Sequence, residues 1–172
     1  NILVAVDADR KNGIEQLLSN PFKPEIILLD DAYQHRKVKA GFYILLTAYD
    51  DLFCDDYILP FGNLREPSSG KKRADMIIIT KCPNDLSEIA QQKIREKLKV
   101  KQQVFFTTIQ YDDCVFGNDS QLLVSEIQSE SKVLVAGIAK PKLFFDFLKN
   151  DNDETLVFPD HHDFSKQDCE LI

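Results

Sequence analysis

The chain of 172 residues is long enough for one domain or two small ones. With 44% hydrophobic and 28% charged residues it buries a core and is not disordered by composition. Its net charge of −7 argues against a nucleic-acid partner, which needs a basic stripe; Lys71-Lys72-Arg73 and Arg36-Lys37 are local exceptions able to face an anion.

Ile2 to Val6 predicts a short strand ending at Asp7-Ala8-Asp9-Arg10. Ile14, Leu17 and Leu18 at helical spacing predict a helix, stopped by Asn20-Pro21 and Lys23-Pro24. Ile26-Ile27-Leu28-Leu29 predicts a second strand, buried on both faces as in a parallel sheet, so residues 1–30 read as a βαβ unit. Gly41 to Leu46 predicts a third buried strand. Residues 47–60 are irregular and acidic, and Leu59 to Pro67 is dense in turn formers around Arg65-Glu66. Pro67-Ser68-Ser69-Gly70 marks the expected domain boundary, dividing the chain into 1–67 and 68–172.

Lys71 to Asp75 reads as a short helix leading into a strand at Met76 to Thr80. Asp85 to Leu98 has helical spacing, with Ser87 or Asp85 able to cap it. Strands are predicted over Val104–Ile109, Lys132–Gly137 and Glu154–Phe158, and a helix over Ala139–Leu148 with Pro141 in its first turn. A further helix begins near Cys169. Helices between strands give an α/β fold of mostly parallel sheets with flanking helices, either two small sheets or one continued.

The four cysteines form no CxxC pair, so neither a zinc site nor a disulfide framework follows and a reducing compartment is expected. No apolar run approaches the roughly 20 residues that span a bilayer. The chain opens directly on an apolar run and its only Met is Met76, as expected of a piece of a longer protein.

Three polar clusters follow apolar runs: Asp30-Asp31 with His35, Arg65-Glu66, and Asp160-His161-His162-Asp163. In open α/β sheets ligands bind beyond the carboxyl ends of strands. Carboxylates there suit Mg²⁺, a His beside an acid can serve as general base, and an Arg can clamp a phosphate. Each cluster also has a plain reading: a solvated loop, a surface ion pair worth little, a solvated His-His turn. A transition-metal site of His35, His161 and His162 would require distant segments to converge. Neither GxxxxGK[ST] nor GxGxxG occurs, so the residues carry no phosphate cradle of their own.

Taken together, Asp30-Asp31-Ala32-Tyr33-Gln34-His35-Arg36, Leu59 to Pro67, Arg73-Ala74-Asp75 and Phe158 to Phe164 resemble, in order and spacing, the tetraacyldisaccharide 4′-kinase family. The sequence departs from the family's pattern at Ala32, where Gly is usual, at Tyr33, and at Pro60-Phe61-Gly62-Asn63. The resemblance implies the later part of a P-loop-like kinase core over 1–67 and a smaller C-terminal α/β domain over 68–172. It implies phosphorylation of the 4′ position of a lipid A disaccharide precursor with ATP and Mg²⁺, at the cytoplasmic face of the bacterial inner membrane. His161, Asp30, Asp31 and Arg65 become the implied catalytic residues, Arg10 and His35 the substrate- or phosphate-binding ones, and Asp30 and Glu66 the metal ligands. The P-loop, a membrane-surface segment and the Asp partner of the catalytic His would lie before residue 1. The alternatives are a metal-dependent phosphohydrolase-like enzyme using the same acids and histidines, and a non-catalytic α/β interaction domain. Oligomeric state has no signal in the sequence.

Overall fold

The computed structural model describes residues 2–117 and 120–172. They fall into two compact units, Asn1–Ile109 and Gln110–Ile172.

The first unit is built on a three-stranded parallel sheet in the order β1 (Ile44–Ala48), β2 (Met76–Thr80), β3 (Gln103–Phe106). The isoleucine run of β2 explains its central place: Ile77 and Ile79 are both 0% exposed. Helix α2 (Glu88–Leu98) joins β2 to β3; Ser87 Oγ caps it by accepting from the Ala90 amide at 3.3 Å, and Leu98 closes the core beneath it. A 3-10 helix, Ser68–Arg73, precedes β2, and Lys71 Nζ donates to the Leu98 carbonyl at 2.7 Å, satisfying an orphan group at the end of α2. Helix α1 (Arg10–Ser19) is capped by Asp9, whose carboxylate accepts from the Lys11 amide at 3.0 Å.

Ile2–Val6 and Ile26–Leu29 do not form the expected strands. No described strand pairs with either run, and a strand needs a neighbour for its backbone groups. Val6 is 98% exposed and Leu28 87%, so the expected βαβ unit reduces to α1. The third predicted strand starts later, at Ile44, and as the edge strand β1 it leaves Ile44 and Leu46 exposed rather than buried. The division expected after Pro67 falls between β1 and β2, which pair along their length from Ile44↔Met76 to Ala48↔Thr80; the compact division follows Ile109 instead.

The second unit pairs β6 (Val133–Ala136) with β7 (Glu154–Val157) in parallel, with α4 (Lys142–Leu148) between them in sequence. An antiparallel pair, β4 (Cys114–Phe116) and β5 (Gln121–Leu123), leads into α3 (Val124–Ser129). Val124, Leu134 and Leu148 form its core with three phenylalanines of α4. Asp153 is the buried polar hinge of β6 and β7: it accepts from the Lys132 amide at 3.0 Å and the Asn150 amide at 2.8 Å, and pairs with Lys132 Nζ at 2.6 Å. Burial alone would raise its pKa; these partners hold it below the usual carboxylate range. Helix α5 (Lys166–Leu171) ends the chain.

All four cysteines are free. Cys82 is buried in the first core, its Sγ donating to the Ile79 carbonyl at 3.4 Å; Cys54 and Cys114 are half-buried, and Cys169 is exposed on α5.

Candidate active site

In the first unit the chain turns at Asp30-Asp31, and Asp31 takes a left-handed backbone, φ 45°. Asp tolerates this conformation better than most residues because its short polar side chain can bond locally. Asp31 Oδ2 accepts from Arg65 Nη1 at 2.8 Å, which brings two of the sequence motifs together. Both side chains are more than half exposed, so the pair fixes geometry more than stability.

Tyr33 secures the next turn. Its hydroxyl donates to the Gly70 carbonyl at 2.9 Å, its ring meets Tyr43 edge-on, and the Arg73 guanidinium lies 4.7 Å from its centroid. Arg73 also donates to the Tyr33 carbonyl at 3.2 Å. Between these loops Glu66 accepts from Arg73 Nη2 at 2.6 Å and from Arg36 Nη2 at 3.2 Å, one guanidinium on each oxygen. Arg73 first, then Arg36, hold the Glu66 carboxyl below its ordinary pKa, against desolvation that pushes it up. Gly70 makes room for this: a Cβ there would stand 2.9 Å from the Glu66 carboxyl.

Asp30 and His35 are exposed, and neither side chain has a bond or ion pair among the described residues. Arg10 is spent locally, donating to the Asp7 carbonyl at 2.8 Å and the Ala8 carbonyl at 3.3 Å at the start of α1.

His161 belongs to the second unit. Phe158 extends the β6–β7 pairing, its amide donating to the Ala136 carbonyl at 2.8 Å, and the chain then turns tightly, His162 N to Pro159 O at 3.2 Å. The turn therefore lies beyond the carboxyl end of β7, where open α/β sheets bind ligands. His161 sits inside it with φ 55° and its side chain 96% exposed; Nε2 is 3.8 Å from Asp160 Oδ2, too long for a hydrogen bond. His162 turns inward, stacked on Phe158 at 4.8 Å and 3.1 Å from Asp168 Oδ2. Two of the four non-glycine residues with positive φ among the described residues are thus Asp31 and His161; strained backbone gathers at functional sites.

As a metal set, these residues fit only in part. Asp30 presents a free hard oxygen donor of the kind Mg²⁺ takes alongside substrate phosphates. Glu66, expected as a ligand, is instead counter-ion to two arginines. No group of three or more His, Cys, Asp or Glu able to hold a metal occurs among the described residues.

The sequence named Arg36, Glu66 and Arg73, but not their part in holding the loops. Tyr33 and Arg36 lie inside a motif, but Tyr33 bonds Gly70 and Arg73, 37 and 40 residues away, and Arg36 bonds Glu66, 30 away, beyond any local pattern. Ser165 and Asp168 did leave a signal, the Ser-x-x-Asp spacing of a capping box; Ser165 Oγ accepts from the Asp168 amide at 3.2 Å while the Asp168 carboxylate accepts from the Ser165 amide at 2.7 Å.

Over residues 1–172 the chain matches the family model described as tetraacyldisaccharide-1-P 4′-kinase. It is 63% identical over 174 residues to a tetraacyldisaccharide 4′-kinase of Flavobacterium johnsoniae, an alignment covering 100% of this chain and 51% of the relative. It is 64% identical to the enzyme of the same name from Flavobacterium psychrophilum, covering 95% and 49%, and 43% identical to that of Phocaeicola vulgatus, covering 100% and 50%. The chain spans about half the length of the curated relatives it matches. No solved structure matches it.

Proposed function

We propose, from the premise that this chain belongs to the tetraacyldisaccharide-1-P 4′-kinase family, that it is part of an enzyme transferring the γ-phosphoryl group of ATP to the 4′ hydroxyl of an acylated disaccharide 1-phosphate, a lipid A precursor. The observation that carries this reading is the family match along all 172 residues.

Phosphoryl transfer asks a protein mainly for positioning and for charge facing the transferring group. Asp30 is the carboxylate that would hold Mg²⁺, which when bound neutralises charge on the phosphates. Arg65, held by Asp31, supplies a cation that can turn toward a phosphate oxygen, and His35 lies on the same turn-rich loop. Arg10 remains a candidate phosphate contact only if it leaves the Asp7 and Ala8 carbonyls. His161 is assigned to assist removal of the 4′ hydroxyl proton, since its imidazole is exposed and makes no hydrogen bond among the described residues. Glu66 is assigned to holding Arg36 and Arg73.

The acylated substrate places the whole enzyme at a membrane surface, and the cytoplasmic face of the bacterial inner membrane is the proposed location. No helix among the described residues is long and apolar enough to cross a membrane. The test is phosphate transfer from ATP to the acylated disaccharide 1-phosphate by the protein spanning the full length of its relatives. His161→Ala should lower that rate about 10²–10⁴-fold, and residues 1–172 alone should neither transfer phosphate nor bind ATP tightly. Metal-dependent phosphate-ester hydrolysis by residues 1–172 alone would favour the phosphohydrolase reading instead.

A further inference from the structure

We infer that His162 is a positioning residue for His161, locking the Pro159–His162 turn onto helix α5 through Asp168. The inference rests on the assignment of His161 to the proton transfer.

His161 has little to hold it: its side chain is 96% exposed, and its left-handed backbone carries a cost that persists only when the surroundings over-determine the turn. His162 supplies that over-determination from the adjacent position. Its ring stacks on Phe158 at 4.8 Å and 25°, and meets Phe164 edge-on at 5.1 Å and 86°. Phe158 and Phe164 touch each other at 5.0 Å, so the imidazole completes a three-ring cluster at the end of β7.

The ring's polar edge is equally fixed. His162 Nε2 lies 3.1 Å from Asp168 Oδ2, and since a carboxylate only accepts, Nε2 carries the proton. That same oxygen also accepts from the Ser165 amide and the Ser165 hydroxyl, both at 2.7 Å. These two bonds and the one from His162 hold the Asp168 carboxyl below its ordinary pKa, so it stays ionised. The N-terminal cap of α5 and the His-His turn therefore share one oxygen atom. His162 faces inward to a fixed acid while His161, one residue earlier, faces solvent, so the two histidines have separate tasks.

The experiment is a double-mutant cycle in the protein of full relative length, with 4′ phosphate transfer as the rate and the thermal midpoint measured for every variant. His162→Phe keeps the ring cluster but loses the bond to Asp168; it should lower kcat about tenfold with KM for both substrates unchanged. His162→Gln, which keeps an N–H donor, should recover part of that loss, and it serves as the entry variant if His162→Phe does not fold. In a His161→Ala background either substitution should have no further effect, because the positioned group is gone. Full additivity in the cycle overturns the inference while leaving His161's role intact. So does an unchanged kcat in His162→Phe, or a kcat loss that only tracks a lowered thermal midpoint. A full rate in His161→Ala alone overturns the proton-transfer assignment, and the inference with it.

Discussion

Glu66 divides its two oxygens between two arginines that lie 30 residues before it and 7 after it. The Arg73 arm is the stronger, being the shorter and the less exposed, and Arg36 is largely in solvent. Glu66→Gln should therefore cost about 1.5–2 kcal/mol at pH 7, at the lower end of the range for hydrogen bonds to charged groups. Because the folded pKa is depressed, that stability is present above the unfolded value of about 4.3 and is lost as pH falls through it toward the folded value. Urea unfolding at pH 7 and again below pH 4 checks both: the gap between wild type and variant should close in acid. A gap that widens in acid would mean that Glu66 is not held ionised by its arginines. At His161 backbone and side chain pull apart in a different way. His161→Gly relieves a left-handed residue but adds freedom to the unfolded chain, so stability should change by no more than about 0.5 kcal/mol. The phosphate-transfer rate should nonetheless fall as far as for His161→Ala. A large loss of stability would mean the imidazole supports the fold.

At the scale of elements, α2 separates a cap from a core. Ser87→Ala removes the bond to the Ala90 amide and should cost about 1 kcal/mol. Leu98→Ala opens a cavity beneath a residue that is 0% exposed and should cost about 2–5 kcal/mol. Denaturant unfolding of the two variants side by side should show the core loss exceeding the cap loss; equal losses would mean that the last turn of α2 is not packed as described. These elements were legible because local signals agreed with tertiary packing. The isoleucines of β2 matched a central strand, Ser87 sat three residues before the amide it caps, and Pro141 opened α4. The β4–β5 pair and α3 were not legible: strands of three residues are too short for alternation to register, and α3 has six residues. Ile26–Leu29 failed for the opposite reason. Its apolar character was clear, but a strand is a property of a pair, and the run has no partner among the described residues.

For the molecule as a whole, the candidate residues were easier to read in the sequence than the contacts that support them. The turn-rich motifs do carry Asp30, Asp31, Arg65 and His161 on exposed loops, whereas the contacts holding the Asp31 and Tyr33 turns join residues up to 40 positions apart and left no pattern to read. Pro67 to Gly70 has the composition of a linker yet lies between paired strands, which composition does not show. The division after Ile109 gives the four cysteines a use of their own. Cys54 and Cys82 lie in one unit, Cys114 and Cys169 in the other. Alkylation needs a thiolate, and burial pushes the Cys82 and Cys54 thiols up while Cys169 stands in solvent. Timed labelling read by mass spectrometry should modify Cys169 first and Cys82 last, with Cys82 responding only to conditions that open the first core. Cys82 so serves as a clock for opening of the first unit, with Cys169 as its unprotected reference, and labelling of Cys82 at the pace of Cys169 would show that the isoleucine core does not close.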